Sequence, residues 1–151
     1  MIPGTRRRVP EQTSPCVNET IRRRTEARVA RCAAEGPAAI ERRLAELDRE
    51  WDIERCLEAN AASVTLLALA KGGVSDRRWF LLPAVVAGFL LQHAVQGWCP
   101  PLPVFRRLGF RTADEIAEER YALKVLRGDF RDLAPGHDEP AVRRTVAAVR
   151  R

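Results

Sequence analysis

Residues 79–105 contain no formally charged side chain, although the rest of the chain is dense in arginine, aspartate and glutamate. The central part of this stretch, residues 79–98, has the length of an α-helix that crosses a bilayer, for which roughly 20 apolar residues are needed. Trp79 and Trp98 stand at its two ends, and indole rings prefer the boundary between lipid and water. The stretch therefore predicts a membrane-spanning helix.

A second, shorter stretch at residues 59–70 is also free of charge. Lys71 extends its usable length, because a lysine side chain can run along apolar surface while its ammonium group stays in water. Gly72 and Gly73 favour a break after it, and a tight loop makes the two helices antiparallel neighbours. We therefore expect an all-α protein built on a two-helix transmembrane hairpin, with amphipathic cytoplasmic helices on both flanks.

Local signals divide the chain into segments. Gly36 and Pro37 stop one helix, apolar residues spaced by three and four predict another from 38 towards 55, and three prolines after Cys99 end the hairpin. Thr112 and Glu115 match a capping box that opens a helix ended by Gly128. The predicted segments are a flexible basic N-terminal tail (1–17), a cytoplasmic helical segment (18–55), a transmembrane hairpin (56–109, helices about 57–71 and 79–98), a cytoplasmic helix (110–128) and a C-terminal tail (129–151).

The hairpin geometry assigns roles to its polar, small and interfacial residues. Polar side chains level with one another are expected to hydrogen-bond between the helices, and these are Asn60, Ser63, Gln92, His93 and Gln96. Small residues that allow close helix packing, and from which we predict a homodimer with a four-helix membrane core, are Ala62, Ala84, Ala87 and Gly88. The residues expected to anchor the hairpin at the membrane interface are Trp79, Trp98, Arg106 and Arg107.

The positive charges near the two predicted helices indicate an orientation. More arginine and lysine residues flank the terminal side of the hairpin than the loop side. Because cytoplasmic segments carry the excess of positive charge, both termini are expected in the cytoplasm. The first eight residues lead into no apolar segment, so no cleavable signal is predicted.

Residues 52–109 resemble the YgaP-like inner-membrane domain family. The resemblance is carried by Asp52-Ile-Glu-Arg55 before two apolar helices, Gly97-Trp98-Cys99-Pro100 after them, and then Phe105-Arg-Arg-Leu-Gly109. It implies a bacterial two-helix module of the inner membrane without an assigned reaction, a dimer, and Cys99 as the family's cysteine. One branch of the family carries a rhodanese domain, but no such domain fits before Asp52, so sulfurtransferase activity is not carried over.

The leading expectation is a non-enzymatic integral membrane protein that serves as a helical-hairpin anchor and homodimerises. One alternative is sulfur relay or thiol redox chemistry through Cys99, with a cytoplasmic rhodanese-type sulfurtransferase as the donor. Another is a soluble, arginine-rich helical protein that binds nucleic acid. The net charge is +6, but the basic residues are interleaved with carboxylates along the sequence, which disfavours nucleic acid as a partner.

The four cysteines indicate no metal site. Cys16, Cys32, Cys56 and Cys99 lack the short spacing of zinc ligands or of a redox dithiol, and reduced thiols are expected. The sequence predicts no cofactor, no metal and no catalytic residues, with Cys99 as the only candidate reactive thiol. Lipid is the expected partner.

Overall fold

The computed structural model describes residues 3–131, 133, 136 and 138–150, with only the backbone at position 150. All regular structure in this part of the chain is helical, which confirms the all-α prediction. It comprises eight α-helices, which is more than the predicted hairpin and its flanking helices. The elements are α1 (Arg8–Glu11), α2 (Pro15–Glu35), α3 (Pro37–Leu47), α4 (Ile53–Val74), a 3-10 helix (Arg77–Phe80), α5 (Leu81–Gln96), α6 (Leu102–Leu108), α7 (Ala113–Arg127) and α8 (Glu139–Arg150).

Two compact units are formed, the first by Met1–Arg23 with Trp51–Ile116 and the second by Arg24–Glu50 with Ala117–Arg151. In the first unit, α4 packs against the 3-10 helix and α5. Glu54 in the first turn of α4 touches His93 in the last turn of α5, and Gly72 near the end of α4 touches Phe80 just before α5. The two helices are therefore antiparallel. We call the end near Glu54 the base of the pair and the end near Phe80 its tip.

The bounds of the paired helices differ from the prediction at both ends. α4 begins earlier because the Asp52 carboxylate accepts a hydrogen bond from the Arg55 backbone N–H at 2.8 Å and caps the helix. Gly72 and Gly73 do not break it, and α4 continues to Val74. The residues after Asp76 form a short 3-10 helix first, so that α5 starts only at Leu81. The predicted break is therefore wrong, because both glycines are accommodated within the helix, where Gly72 is buried and Gly73 is exposed.

The segment predicted as a flexible tail contributes to the core of the first unit. α1 carries Val9, which is 2% exposed and packs with Ile53, Leu57, Cys99 and Leu102. α2 starts at Pro15, before the predicted start at residue 18. This outcome depends on contacts with residues far along the chain, which the local basic and proline-rich composition does not reveal.

A helix also forms where prolines were expected to leave the chain irregular. α6 runs from Leu102 to Leu108, with Pro103 in its first turn. Proline is tolerated there because the first backbone N–H groups of a helix have no intrahelical partner. α6 supplies Leu102, which is 0% exposed, to the same apolar cluster.

In the second unit, α3 ends at Leu47 and does not reach the predicted residue 55. Ile40, Leu44 and Leu47 of its apolar stripe are each less than 9% exposed, whereas Trp51, the next residue of the predicted stripe, lies beyond the helix and is 45% exposed. The fully buried carboxylate of Glu119 on α7 is held by Arg28 at 3.1 Å and by Arg43 at 2.8 Å. Burial of this charge is tolerated because two guanidinium groups compensate it.

The two ends of α7 agree with the predicted helix signals. The backbone N–H of Thr112 donates to Glu115 at 2.8 Å, and the N–H of Glu115 donates to the Thr112 hydroxyl at 3.2 Å, which confirms the capping box. Gly128 follows the last residue with a φ of +93°, a conformation that favours glycine. Beyond it, α8 occupies part of the predicted C-terminal tail, and Lys124 donates a hydrogen bond to its Val149 carbonyl at 2.8 Å.

Candidate thiol site at the base of the helix pair

Of the five polar side chains predicted to bond between the helices, His93 makes such a contact. Its Nε2 lies 2.7 Å from a carboxylate oxygen of Glu54. Ser63 instead donates to the Ala59 carbonyl of its own helix at 2.8 Å. In the described part of the chain, no side-chain hydrogen bond joins Asn60, Gln92 or Gln96 to the opposite helix. The partner of His93 was missed because Glu54 precedes the apolar stretch of α4.

The small residues predicted to pack the helices lie on the outside of the pair. Ala62, Ala84, Ala87 and Gly88 are all exposed, and no atom beyond the local helix backbone lies within 4 Å of where a side chain at Gly88 would begin. The small residues of α4 that are buried are others, and they recur at intervals of seven and four: Ala61, Ala68 and Gly72. Contact between α4 and α5 therefore uses a neighbouring face of α4, one residue away from the predicted Ala62.

The predicted interface anchors separate into two classes. Trp79 is 37% exposed, with the Lys71 ammonium 4.4 Å above its ring, and Trp98 packs edge-on against Phe89. Arg107 is exposed, as an anchor requires. Arg106 is only 1% exposed, so its assignment as an anchor is wrong.

Arg106 instead forms a buried polar network. Its guanidinium binds both oxygens of Glu115 at 2.7 Å and also donates to the Phe110 carbonyl, the Asn18 amide oxygen and the Thr13 hydroxyl. Burial acts to raise the pKa of Glu115, but hydrogen bonds from Arg106 and Thr112 outweigh it and leave the pKa below its usual value. The network therefore joins the N-terminal segment to α6 and the start of α7.

A second polar cluster lies at the base of the α4–α5 pair. Arg8 donates one hydrogen bond to a carboxylate oxygen of Glu54 and another to the Ala94 carbonyl, both at 2.9 Å. The other oxygen of Glu54 faces Nε2 of His93 at 2.7 Å. A chain of polar contacts thus runs from Arg8 through Glu54 to the imidazole.

The Cys99 thiol lies next to the imidazole at the end of this chain. It lies beside the His93 ring and is 3% exposed, within the apolar cluster of the first unit. The His93 side chain is 4% exposed, and its Nδ1 is buried without a hydrogen-bond partner. Since Nε2 faces Glu54, Nδ1 is the ring nitrogen that stays available to accept a proton. This order of thiol, imidazole and carboxylate is the arrangement that activates nucleophilic cysteines in general.

Cys56 provides the contrast within the same unit. It is also buried, at 9% exposure, but the groups that act on it are the charges of Asp52 and Arg55. Cys16 is exposed and Cys32 is half-buried. Among the residues that the structure describes, Cys99 is the thiol that the fold brings next to an imidazole, that of His93.

No family model matches the chain, and neither a curated protein nor a solved structure with significant similarity to it is found. The YgaP-like resemblance therefore stays a prediction.

Proposed function

We propose that the chain is a small integral protein of the bacterial inner membrane, in which α4 and α5 form a lipid-embedded hairpin and the other helices lie outside the lipid. The observation that carries this proposal is the apolar surface that the pair leaves uncovered. Its large exposed side chains, each between 37% and 88% accessible, are Leu66, Leu67, Leu69, Val74, Trp79, Phe80, Leu81, Val85, Phe89, Leu90, Leu91 and Val95.

The strongest single segment is Arg77–Gln96. Within the described residues it is the one helical segment of sufficient length and apolar character to cross a membrane, and only 6% of its most apolar window is buried. Its 20 residues would extend roughly 30 Å as a helix, which is about the thickness of the hydrocarbon core. A soluble protein would have to cover such a helix on most sides, because about 25 cal/mol is lost for each Å² of apolar surface left in water.

The ends of the pair carry groups suited to an interface. At the tip, Lys71 stacks over Trp79, and Arg77 and Arg78 are exposed. Outside the base, Arg107 is exposed. Cationic and indole side chains at these positions favour a hairpin whose two ends lie near the two membrane surfaces. The orientation with both termini in the cytoplasm stays a prediction.

A second copy of the chain is the proposed occupant of the α5 face that carries Ala84, Ala87 and Gly88. Two helices bury little surface by themselves, and small exposed residues let another helix approach closely. Gly88→Ile should therefore reduce dimer crosslinking in detergent, whereas Ala70→Ile on the exposed side of α4 should not. Equal crosslinking of both variants and the native chain would count against this face.

Fractionation tests the membrane proposal. We expect the full-length chain to stay in the pellet after alkaline carbonate washing of bacterial membranes and to be released by detergent. The double variant Val85→Glu and Leu91→Glu should be lost from the pellet, because a carboxylate at the centre of a span costs several kcal/mol. Val142→Glu, which alters an exposed valine of α8, serves as the matched control. Recovery of the native chain in the soluble fraction without detergent would refute the proposal.

The two alternatives are less well supported. Sulfur relay from a cytoplasmic sulfurtransferase requires the donor cysteine to reach a thiol that is only 3% exposed. Nucleic-acid binding requires arginines that are free for phosphates, but several are engaged by carboxylates, including Arg28 and Arg43 with Glu119.

A further inference from the structure

Two thiols of the first unit are buried to a similar degree but have different neighbours. Cys56 lies in the first turn of α4, where the nearest charges are those of Asp52 and Arg55. Cys99 lies beside the His93 imidazole. The comparison of these two cysteines isolates the effect of the imidazole from the effect of burial.

The environment of His93 requires an explanation. Burying a polar atom without a hydrogen bond costs roughly 1–3 kcal/mol, and Nδ1 of His93 is such an atom. Glu54 holds the opposite side of the ring at 2.7 Å, and Arg8 holds Glu54 at 2.9 Å. A ring held in this orientation, with Nδ1 buried and unpartnered and a thiol beside the ring, can serve as a base for that thiol.

We propose that Cys99 is a nucleophilic thiol that reacts with small uncharged hydroperoxides, with His93 as its base and Glu54 as the positioning residue. The thiol proton passes to Nδ1 of His93, and the sulfur attacks one oxygen of the peroxide. A sulfur–oxygen bond forms as the oxygen–oxygen bond breaks, and the departing oxygen takes the proton from His93. Cys99 is oxidised by two electrons to a sulfenic acid, and the hydroperoxide is reduced to an alcohol or, for hydrogen peroxide, to water.

The surroundings of Cys99 select this class of electrophile. Its neighbours Val9, Ile53, Leu57 and Leu102 are apolar and buried. A charged disulfide or a protein donor would have to be desolvated to enter, at a cost of several kcal/mol. Hydrogen peroxide carries no charge and is only slightly larger than water. The site goes beyond the proposed membrane function and does not depend on it.

The test compares cysteines within one molecule. Full-length protein in mild detergent is exposed to excess hydrogen peroxide for increasing times and is then unfolded in the presence of a dione that traps sulfenic acids, and the labelling of each cysteine is followed by mass spectrometry. We expect Cys99 to be labelled at least tenfold faster than Cys56. In the native protein, equal or slower labelling of Cys99 would overturn the proposal, whatever the variants show.

Two variants separate activation from packing. His93→Gln keeps an amide near the position of Nε2 for Glu54 and removes Nδ1, so labelling of Cys99 should slow at least tenfold while Cys56 is unchanged. Glu54→Gln should shift the pH profile of Cys99 labelling rather than abolish it. If His93→Gln labels Cys99 at the native rate, the imidazole has no role and the proposal is wrong. Melting curves identify variants that do not fold. If a variant does not fold, the pH dependence of cysteine labelling in the native protein is used instead. A pH dependence of Cys99 labelling identical to that of Cys56 also refutes the proposal. Failure here leaves the fractionation result unaffected.

Discussion

The base and the tip of the α4–α5 pair present the same kinds of apolar side chain, but only the base is covered by protein. At the base, Ile53 and Leu57 of α4 are 0% and 3% exposed, packed with Val9 from the N-terminal segment. Towards the tip, Leu67 is 72% and Leu81 is 69% exposed. Leucine occurs in both regions, so residue type does not account for the difference.

The two regions differ in whether other helices pack over them. At the base, α1 and α6 pack over the helix pair. Hydrogen bonds of the buried Arg106 join the segments that carry these two helices. Among the described residues of the first unit, no comparable element covers the exposed side chains listed above for α4 and α5. The apolar composition of a helix therefore indicates that its surface must be shielded from water. Whether protein or lipid shields it depends on contacts between segments that are distant in sequence. The proposed membrane function follows from this contrast.

Loss of Arg106 should disrupt the base most. Arg106→Met leaves the Glu115 carboxylate partly buried without its main partner, so we expect the free energy of unfolding to fall by about 3–5 kcal/mol. The adjacent Arg107 is exposed, and Arg107→Met should change it by less than about 0.5 kcal/mol. Denaturation of both variants in mild detergent, followed by circular dichroism, measures the difference. Similar losses for the two variants would contradict the burial of Arg106.

A leucine pair tests the contrast between base and tip directly. Leu102→Ala removes a fully buried side chain and should lower the free energy of unfolding by about 2–5 kcal/mol. Leu67→Ala, at 72% exposure, should lower it by less than about 1 kcal/mol. The same denaturation measurement applies. A loss at Leu67 as large as that at Leu102 would mean that Leu67 is packed against protein, for example in an oligomer.

The parts of the fold that were predicted correctly depend on local signals. Thr112 and Glu115 form their capping box within four residues, and Gly36 with Pro37 separates α2 from α3 through backbone conformation alone. Such interactions involve near neighbours, so their spacing in the sequence is sufficient to identify them.

The parts that were missed depend on contacts between distant segments. Arg106 and Arg107 are indistinguishable in sequence, yet Asn18 lies 88 residues from Arg106 and binds it. Glu54 lies 39 residues from His93 and outside the apolar stretch of α4. An antiparallel register would have placed Glu54 level with His93, so this contact could have been anticipated, whereas the burial of Val9 could not.

The smallest expected effect concerns two adjacent glycines at the tip. A Cβ at Gly72 would lie 3.0 Å from the Phe80 ring, whereas at Gly73 it would meet nothing within 4 Å. Gly73→Ala should therefore stabilise α4 by about 0.5–1 kcal/mol through the lower entropy of alanine. Gly72→Ala should give a smaller gain or a loss, because the half-exposed Phe80 ring must move. Adding Phe80→Leu should remove the difference between the two alanine variants. Equal stabilisation at both positions, measured by thermal unfolding in detergent, would show that the tip is not packed through Gly72 and that only the base of the pair is held by specific contacts.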